Sequence, residues 1–182
     1  MRITHTWGIA AWERKLAFPC DDFIQKYDPA CTLYRGITIK APVSLVFQWV
    51  SQLRVAPYSY DCIDNDCKLS PRQLIPNLPP LELGQIVMSC FEVIDFEIDK
   101  SITIRAISKG YGKFHLQDIV VSYLIIPQKE KSCRLLVKGL MKFHKNLPGR
   151  IMKRLIPGLD LLMMRKQFYN LKMLAEREGE DS

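Results

Sequence analysis

The chain lacks the features that mark a membrane-spanning or exported protein. None of its apolar runs reaches the roughly 20 residues that a transmembrane helix requires. The N-terminus carries Arg2, but polar residues interrupt the stretch that follows, so no apolar core of a signal peptide can be traced. We therefore expect a cytoplasmic protein. Its 182 residues suit one domain over 31–182, with residues 1–30 as an N-terminal extension that packs on it.

The common signatures of catalysis and of cofactor or metal binding are missing too. The sequence has no GxSxG, HExxH, Walker loop or GxGxxG motif, so we expect no cofactor and no metal centre. The three histidines, His5, His115 and His144, stand apart without a partner motif and are expected at the surface or at strand ends. Cys62 and Cys67 lack the CxxC spacing of a zinc-ligand pair, and the six cysteines are expected to be free thiols.

Charge is ordinary in amount but uneven in placement. The net charge is +7, and from Lys138 onward ten basic residues stand against five acidic ones. This basic end is typical of a solvated helix face, or of a surface that attracts anionic lipid or an acidic partner. Nucleic acid is disfavoured as a partner, because the basic residues lack interleaved exposed aromatics. The candidate membrane or partner patch comprises Lys145, Arg150, Lys153 and Arg154.

What the sequence does contain begins with a strand, a turn and an amphipathic helix. Leu33, Ile37 and Ile39 fall on one side of residues 33–40 with polar residues on the other, which predicts a half-buried strand. Pro42 stands where the first turn of a helix accepts proline. A loop dense in tyrosine and acid follows at residues 57–61. The apolar residues between Pro42 and this loop recur at helical spacing on one face: Val43, Val46, Phe47, Val50 and Leu53.

An antiparallel meander is predicted for the middle of the chain. The strand over 116–127 is apolar on both faces, which indicates a central position in the sheet. Turns are expected at 99–100 and 128–131. The full set of expected strands here is 85–96, 101–108, 116–127 and 133–144.

Two helices are predicted at the C-terminus. A short basic helix over 148–156 is expected to end at Pro157-Gly158, and a longer one runs over 158–178. The longer helix has an apolar stripe that Leu162, Met163 and Tyr169 widen beyond half the circumference. A helix with so wide an apolar face is either deeply packed or pressed against something besides its own sheet. The stripe itself consists of Leu161, Met164, Phe168, Leu171 and Leu174.

This order of elements, together with four segments, resembles a bacterial branch of the SRPBCC superfamily, which includes START lipid-transfer domains, polyketide cyclases and birch-pollen-allergen-like proteins. The segments are ITIKAPVSLVFQWVSQLRVAPYSYDCIDN, HTWGIAAWERKLAFPCDD, LELGQIVMSCFEVIDFEIDKSITIRA and PGLDLLMMRKQFYNLKMLAE. The resemblance implies an α+β helix-grip fold, in which a curved antiparallel sheet wraps around a long C-terminal helix and a ligand cavity lies between them. It implies no single activity, because the superfamily hosts transfer, binding and catalysis.

The function that we expect is to bind or carry a hydrophobic small molecule, such as a lipid or polyketide-like compound, between sheet and helix. Such sites are mainly apolar, and the tyrosine-rich loop offers the polar groups that would orient the ligand. The same tyrosines can instead lock the loop through a hydrogen bond to Asp61 or Asn65. The predicted ligand-binding residues are Tyr58, Tyr60, Asp61, Phe91, Tyr123, Met141, Met163 and Phe168.

Two alternatives stay open. One is an enzyme of the cyclase or dehydrase kind, with a tyrosine and a carboxylate as acid and base, although no catalytic residue is assigned. A polar pair facing the cavity would distinguish this enzyme from a carrier. The other is a peripheral membrane or protein-interaction module that uses the basic C-terminal helices, and salt-sensitive binding to anionic vesicles would identify it.

Overall fold

A computed structural model describes residues 2–26, 31–107, 116–129 and 131–180. His115, the end of the predicted strand at Ser108 and position 130 of a predicted turn lie outside these ranges. The strands are β1 (Thr6–Trp7), β2 (Cys31–Ile39), β3 (Ile86–Val87), β4 (Phe91–Glu97), β5 (Ser101–Ala106), β6 (Leu116–Pro127) and β7 (Cys133–Phe143). The α-helices are α1 (Val43–Ser51), α2 (Asp61–Asp64) and α3 (Leu147–Glu180), and short 3-10 helices cover Glu13–Lys15, Pro19–Lys26 and Gln52–Arg54.

The seven strands form one sheet in the order β1-β2-β7-β6-β5-β4-β3. The β1 and β2 strands pair parallel, and the remaining neighbours pair antiparallel. The β6 strand is the fourth of the seven, so its predicted central position is confirmed. This sheet, together with the long C-terminal helix, confirms the predicted α+β helix-grip fold.

Helices α1 and α3 pack on one face of the sheet, which we call the helix face. Period-two alternation directs Leu135 and Val137 of β7 and Ile104 of β5 toward this face, and all three are buried. The apolar faces of the helices meet them and exclude water, which is the main source of stability of such a layer. The helical residues at the centre of this core are Val46, Trp49, Val50, Phe168, Leu171 and Leu174.

The N-terminal segment covers the opposite face of the sheet. Phe18 and Cys20 are buried against Leu136 and Leu140 there. The Cys20 N–H donates to Ser122 Oγ at 2.8 Å, so the cover is also bonded to the sheet. Because both faces of β6 and β7 are covered, both faces of these strands can be apolar. The domain division at residue 30 stays a prediction.

Residues 85–96, predicted as a single bent strand, form a hairpin instead. The β3 strand ends at Val87 and pairs with β4, which begins at Phe91. Met88 and Ser89 turn the chain with φ of 48° and 61°. Such positive φ values favour glycine or asparagine, and neither residue occurs here, so the local sequence gives no turn signal. The predicted turn at Asp99-Lys100 is confirmed, with Asp99 at φ 58° and a Lys100 N–H to Glu97 O bond of 3.0 Å.

The prediction of two C-terminal helices is wrong, because α3 continues through Pro157 for 34 residues. A proline within a helix removes one hydrogen bond and weakens the turn before it, but it does not always end the helix. Buried Arg35 of β2 binds this turn, donating to Pro157 O at 3.4 Å and to Asp160 Oδ2 at 2.6 Å. These tertiary contacts stabilise the helix by more than Pro157 and Gly158 destabilise it. None of the described helices, α3 included, is long and apolar enough to cross a membrane.

Candidate functional site

A small cavity lies between the sheet and α1. The resemblance implied a ligand site between the sheet and the C-terminal helix instead, and no residue of α3 is among those that line this cavity. Its volume is about 10 Å³, which is room for one water molecule. The side chains around it therefore fill almost all of this space. The lining residues are Val50, Ser51, Leu53, Leu81, Val87, Ile102, Ile104 and Tyr123.

Leu81, in the long segment before β3, closes the cavity from outside. Leu74, Leu81 and Met88 are partly buried and pack against the core that α1, α3 and the sheet share. Leu83, two residues after Leu81, points away and is 65% exposed. The cavity thus has a wall that belongs to no helix, and of Leu74, Leu81 and Met88 it is Leu81 that lines it.

The Tyr123 hydroxyl is a polar group of this cavity with a fixed partner. It donates to Gln167 Oε1 of α3 at 2.9 Å, and the Gln167 amide donates to Pro57 O at 2.7 Å. Burial raises the pKa of Tyr123 above its usual value, so the hydroxyl stays protonated at neutral pH. Tyr123 can therefore donate or accept a hydrogen bond but cannot act as an anionic base.

Ser51 supplies a second hydroxyl, at the C-terminal end of α1. Its Oγ is buried and has no hydrogen-bond partner among the described residues. A buried hydroxyl without a partner costs free energy that a water molecule or a ligand atom can restore. The polar character of the cavity therefore rests on Ser51 and Tyr123.

Tyr58 and Tyr60 face opposite ways, as their alternation around Ser59 predicted. Tyr58 is 1% exposed, whereas Tyr60 is 40% exposed. The Tyr58 hydroxyl accepts a hydrogen bond from Gln52 Nε2, so its partner is neither of the residues that we expected. Burial raises the pKa of Tyr58, which keeps this hydroxyl protonated as well. Tyr58 also has φ of 54°, a strained value for a tyrosine that its buried contacts must hold in place.

The acidic residues of this loop hold its shape. The Asp61 carboxylate accepts from the Ser70 N–H at 3.0 Å and from Ser70 Oγ at 2.5 Å. Asp64 accepts from Ser59 Oγ, and burial raises the pKa of Asp64. Like Tyr58 and Tyr60, Asp61 is not among the residues that line the cavity. These contacts are those of a locked loop, and a ligand role for the loop stays a prediction.

The other predicted ligand residues are spread along the helix face. Phe168 is fully buried and Phe91 packs beside the same core. Met141 is buried in a separate cluster that includes Ile156 of α3, and Met163 is half-buried. Of the eight predicted residues, Tyr123 alone lines the cavity. Sequence reasoning missed Ser51, Leu81 and Val87, because the pattern in which they stand predicts only ordinary core and loop positions.

The four predicted patch residues are all exposed. Lys145 lies just before α3, and Arg150, Lys153 and Arg154 lie in its first turns. The neighbouring Ile151 is 47% exposed. All six cysteines are free, as predicted.

The chain matches no family model, and no curated protein matches it in sequence. Solved structures do match it. A hypothetical protein of Helicobacter pylori has a TM-score of 0.56 at 14% identity, covering 83% of this chain and 93% of that chain. A protein of Mesorhizobium loti has a TM-score of 0.53 at 13% identity, covering 80% and 97%. Norcoclaurine synthase of Thalictrum flavum has a TM-score of 0.52 at 12% identity, covering 79% and 84%. The last has the birch-pollen-allergen-like fold, so the comparisons support the fold of the predicted superfamily for this chain.

Proposed function

We propose that this protein binds a hydrophobic small molecule in the space between α1, β5 and Leu81. The observation that carries the proposal is the cavity there, which has apolar walls and two hydroxyls, those of Tyr123 and Ser51. Small-molecule sites combine these same elements, an apolar lining and a few polar groups that orient the ligand. The ligand class that fits is an apolar compound with one hydroxyl or carbonyl group, such as a lipid or a polyketide-like molecule.

Binding requires the cavity to grow, and the segment over 65–85 supports such a change. It contains neither helix nor strand, and loops of this length in compact domains are usually functional. Hydrogen bonds to side chains of the 3-10 helix Gln52–Arg54 hold the segment in place. Arg54 Nη1 donates to Pro80 O at 2.9 Å, and the Ile75 N–H donates to Gln52 Oε1 at 2.8 Å. We expect the residues around Leu81 to move outward, while Gly84 and Gln85 stay bonded to Val93 of β4 and the pairing of the sheet stays intact.

Binding without chemistry is favoured over the enzyme alternative by the cavity's composition. The residues that line it include hydroxyls but no carboxylate. The pKa of Tyr123 is raised, so it cannot supply the base that a cyclase or dehydrase needs. Norcoclaurine synthase is an enzyme by its name, which supports only that this kind of fold can hold a small-molecule site.

The test begins with native mass spectrometry of the purified protein, which we expect to show a bound apolar compound. Titration with the apolar dye Nile red then compares Leu81→Ala with Leu83→Ala. Removing Leu81 enlarges the cavity, so the dye should bind at least several-fold more tightly, and the free energy of unfolding should fall by about 1–2 kcal/mol. Leu83 is the matched control, because it is the same residue type in the same segment but 65% exposed.

Tyr123→Phe separates a ligand role from plain core filling. This variant keeps the ring and removes the hydroxyl, so we expect weaker retention of the co-purified compound. If neither the natural chain nor Leu81→Ala binds any apolar compound or dye, the proposed function is wrong.

A further inference from the structure

The side of α3 that faces away from the sheet carries a continuous row of large apolar side chains. Leu147, Ile151, Leu155 and Leu159 follow one another at i, i+4 spacing, so they lie on one side of the helix. They are 70%, 47%, 51% and 53% exposed. The same side continues with exposed Leu162, Tyr169 and Met173. We call these seven residues the outer stripe.

Leu162 and Tyr169, which were predicted to widen the apolar stripe of this helix, lie on the outer stripe. Both are about half exposed, whereas Leu161 and Phe168 beside them are buried. From Leu147 to Met173 the row spans about 39 Å of helix. Single exposed apolar residues are normal on a protein surface, but a row of this length is typical of an interaction site.

From Leu147 to Tyr169 the charges beside the outer stripe are of one sign, whereas Glu176, about one turn beyond Met173, is paired with Lys172. Between Lys138 and Lys172 the only acid in the sequence is Asp160, and its carboxylate is bound by buried Arg35 at 2.6 Å. Arg165 lies over the Trp7 ring at 5.4 Å. Five exposed cations on this side form no ion pair within the described part of the chain: Lys145, Arg150, Arg154, Arg165 and Lys166.

We propose that the outer stripe and these five cations dock on an anionic membrane surface. A helix with an apolar side bordered by lysine and arginine lies in the plane of such a surface, with its apolar side chains among the lipid headgroups. The cations are attracted to the negative surface potential. A protein partner would need acids at fixed matching positions, whereas lipid headgroups rearrange to meet cations spread along a helix. This proposal goes beyond ligand binding and does not depend on it.

The test is co-sedimentation of the full chain with vesicles. One set is phosphatidylcholine alone, and the other contains phosphatidylserine at about one third of the lipid. We expect binding to the anionic set only, and loss of most of it when salt rises from about 0.05 M to about 0.5 M. Binding should fall about tenfold or more in Arg150→Gln/Arg154→Gln, because each cation near the surface contributes separately.

Matched variants distinguish this site from a general effect of charge or hydrophobicity. Lys68→Gln/Lys129→Gln removes the same charge from exposed positions elsewhere and should bind as the natural chain does. Ile151→Ser/Leu155→Ser should lose binding, whereas Leu69→Ser/Ile98→Ser should not, although Leu69 and Ile98 are 84% and 70% exposed. All of these side chains are exposed, and a circular dichroism melt checks that each variant folds.

Three results would overturn the proposal. The first is equal sedimentation with neutral and anionic vesicles, or none with either. The second is an equal loss of binding in the two charge variants, which would show that net charge alone is responsible. The third is a dimer in light scattering that Leu155→Ser converts to a monomer, because the stripe would then be covered by a second copy of this chain.

Discussion

Loss of the Asp160 carboxylate is expected to destabilise this protein strongly, because the cation that it binds is buried. Arg35 is 1% exposed. Its Nη2 atom lies 2.6 Å from Asp160 Oδ2 and 2.8 Å from Thr4 O, and its Nη1 atom lies 2.9 Å from Tyr34 O. In Asp160→Ala the guanidinium keeps its carbonyl partners but loses its counter-charge while it stays buried.

The magnitude follows from the burial of the two partners. Breaking a fully buried ion pair costs about 3–5 kcal/mol, because one charge is left without compensation. The Asp160 side chain is 24% exposed, so water can replace part of what is lost. We therefore expect Asp160→Ala to lower the free energy of unfolding by about 2–3 kcal/mol. For a chain of this length that corresponds to a decrease in Tm of roughly 5–10 °C.

The assay is a double-mutant cycle of Asp160→Ala and Arg35→Met, measured by urea denaturation. Removing both charges should cost less than the sum of the single changes, by about 1.5 kcal/mol or more, because no unpaired charge remains. The control is the Glu97–Lys100 pair, which is equally close at 2.7 Å but has both side chains more than half exposed. Glu97→Ala should change stability by less than about 0.5 kcal/mol. Additive costs in the cycle, or equal effects of Asp160→Ala and Glu97→Ala, would refute the reasoning.

Three further predictions concern other parts of the fold. Burial by itself would raise the pKa of Glu13, but its hydrogen bonds, chiefly from Arg134 at 2.7 Å, lower it below the usual value. Because the pKa of Glu13 is lower in the folded than in the unfolded state, the charged carboxylate stabilises the fold at pH values above the unfolded pKa. Glu13→Gln should therefore melt several degrees lower than the natural chain at pH 7, and this difference in Tm should shrink as the pH falls below about 4. A difference in Tm that is unchanged at about pH 2 would contradict this. Phe168→Ala should lower the free energy of unfolding by about 3–5 kcal/mol in urea titration, because Phe168 is fully buried at the core, and a change below about 1 kcal/mol would contradict that packing. The exposed thiols of Cys62 and Cys67 lie close enough together that Cys62 raises the pKa of Cys67, so oxidised glutathione should link them into an intramolecular disulfide, seen as one cross-linked peptide by mass spectrometry; two separate glutathione adducts would contradict this proximity.

The strands and their order along the chain could be predicted because the alternating burial of side chains in a strand requires a matching alternation of apolar residues in the sequence. The β2 strand shows the alternation of a strand with one buried and one less buried side. The β6 strand is apolar on both faces because α1 and the N-terminal segment cover it from opposite sides. The hairpin at Met88-Ser89 could not be predicted, because its positive φ values are imposed by strand pairing on residues that do not favour them.

Only the general chemical character of the cavity could be predicted from the sequence. An apolar space with tyrosine hydroxyls was expected, and Tyr123 provides one of them. The partners of these hydroxyls, Gln167 and Gln52, come from distant or neighbouring helices and carry no pattern that links them to a tyrosine. The filling of the cavity by Leu81 was also hidden, because a single leucine after two prolines gives no periodicity.

The two apolar rows of α3 show why a helix pattern alone cannot identify the buried side. Leu161, Phe168 and Leu171 recur at helical spacing and are buried, whereas the outer stripe recurs at the same spacing and is about half exposed. Both rows satisfy the same 3.6-residue period, so hydrophobicity predicts a helix that is apolar nearly all round. Charge could have separated them, because Arg165 and Lys166 border the outer stripe and a charged side chain is costly to bury without a partner. A helix with two apolar rows, one of them bordered by cations, therefore predicts one row for the core and one for a partner of opposite charge.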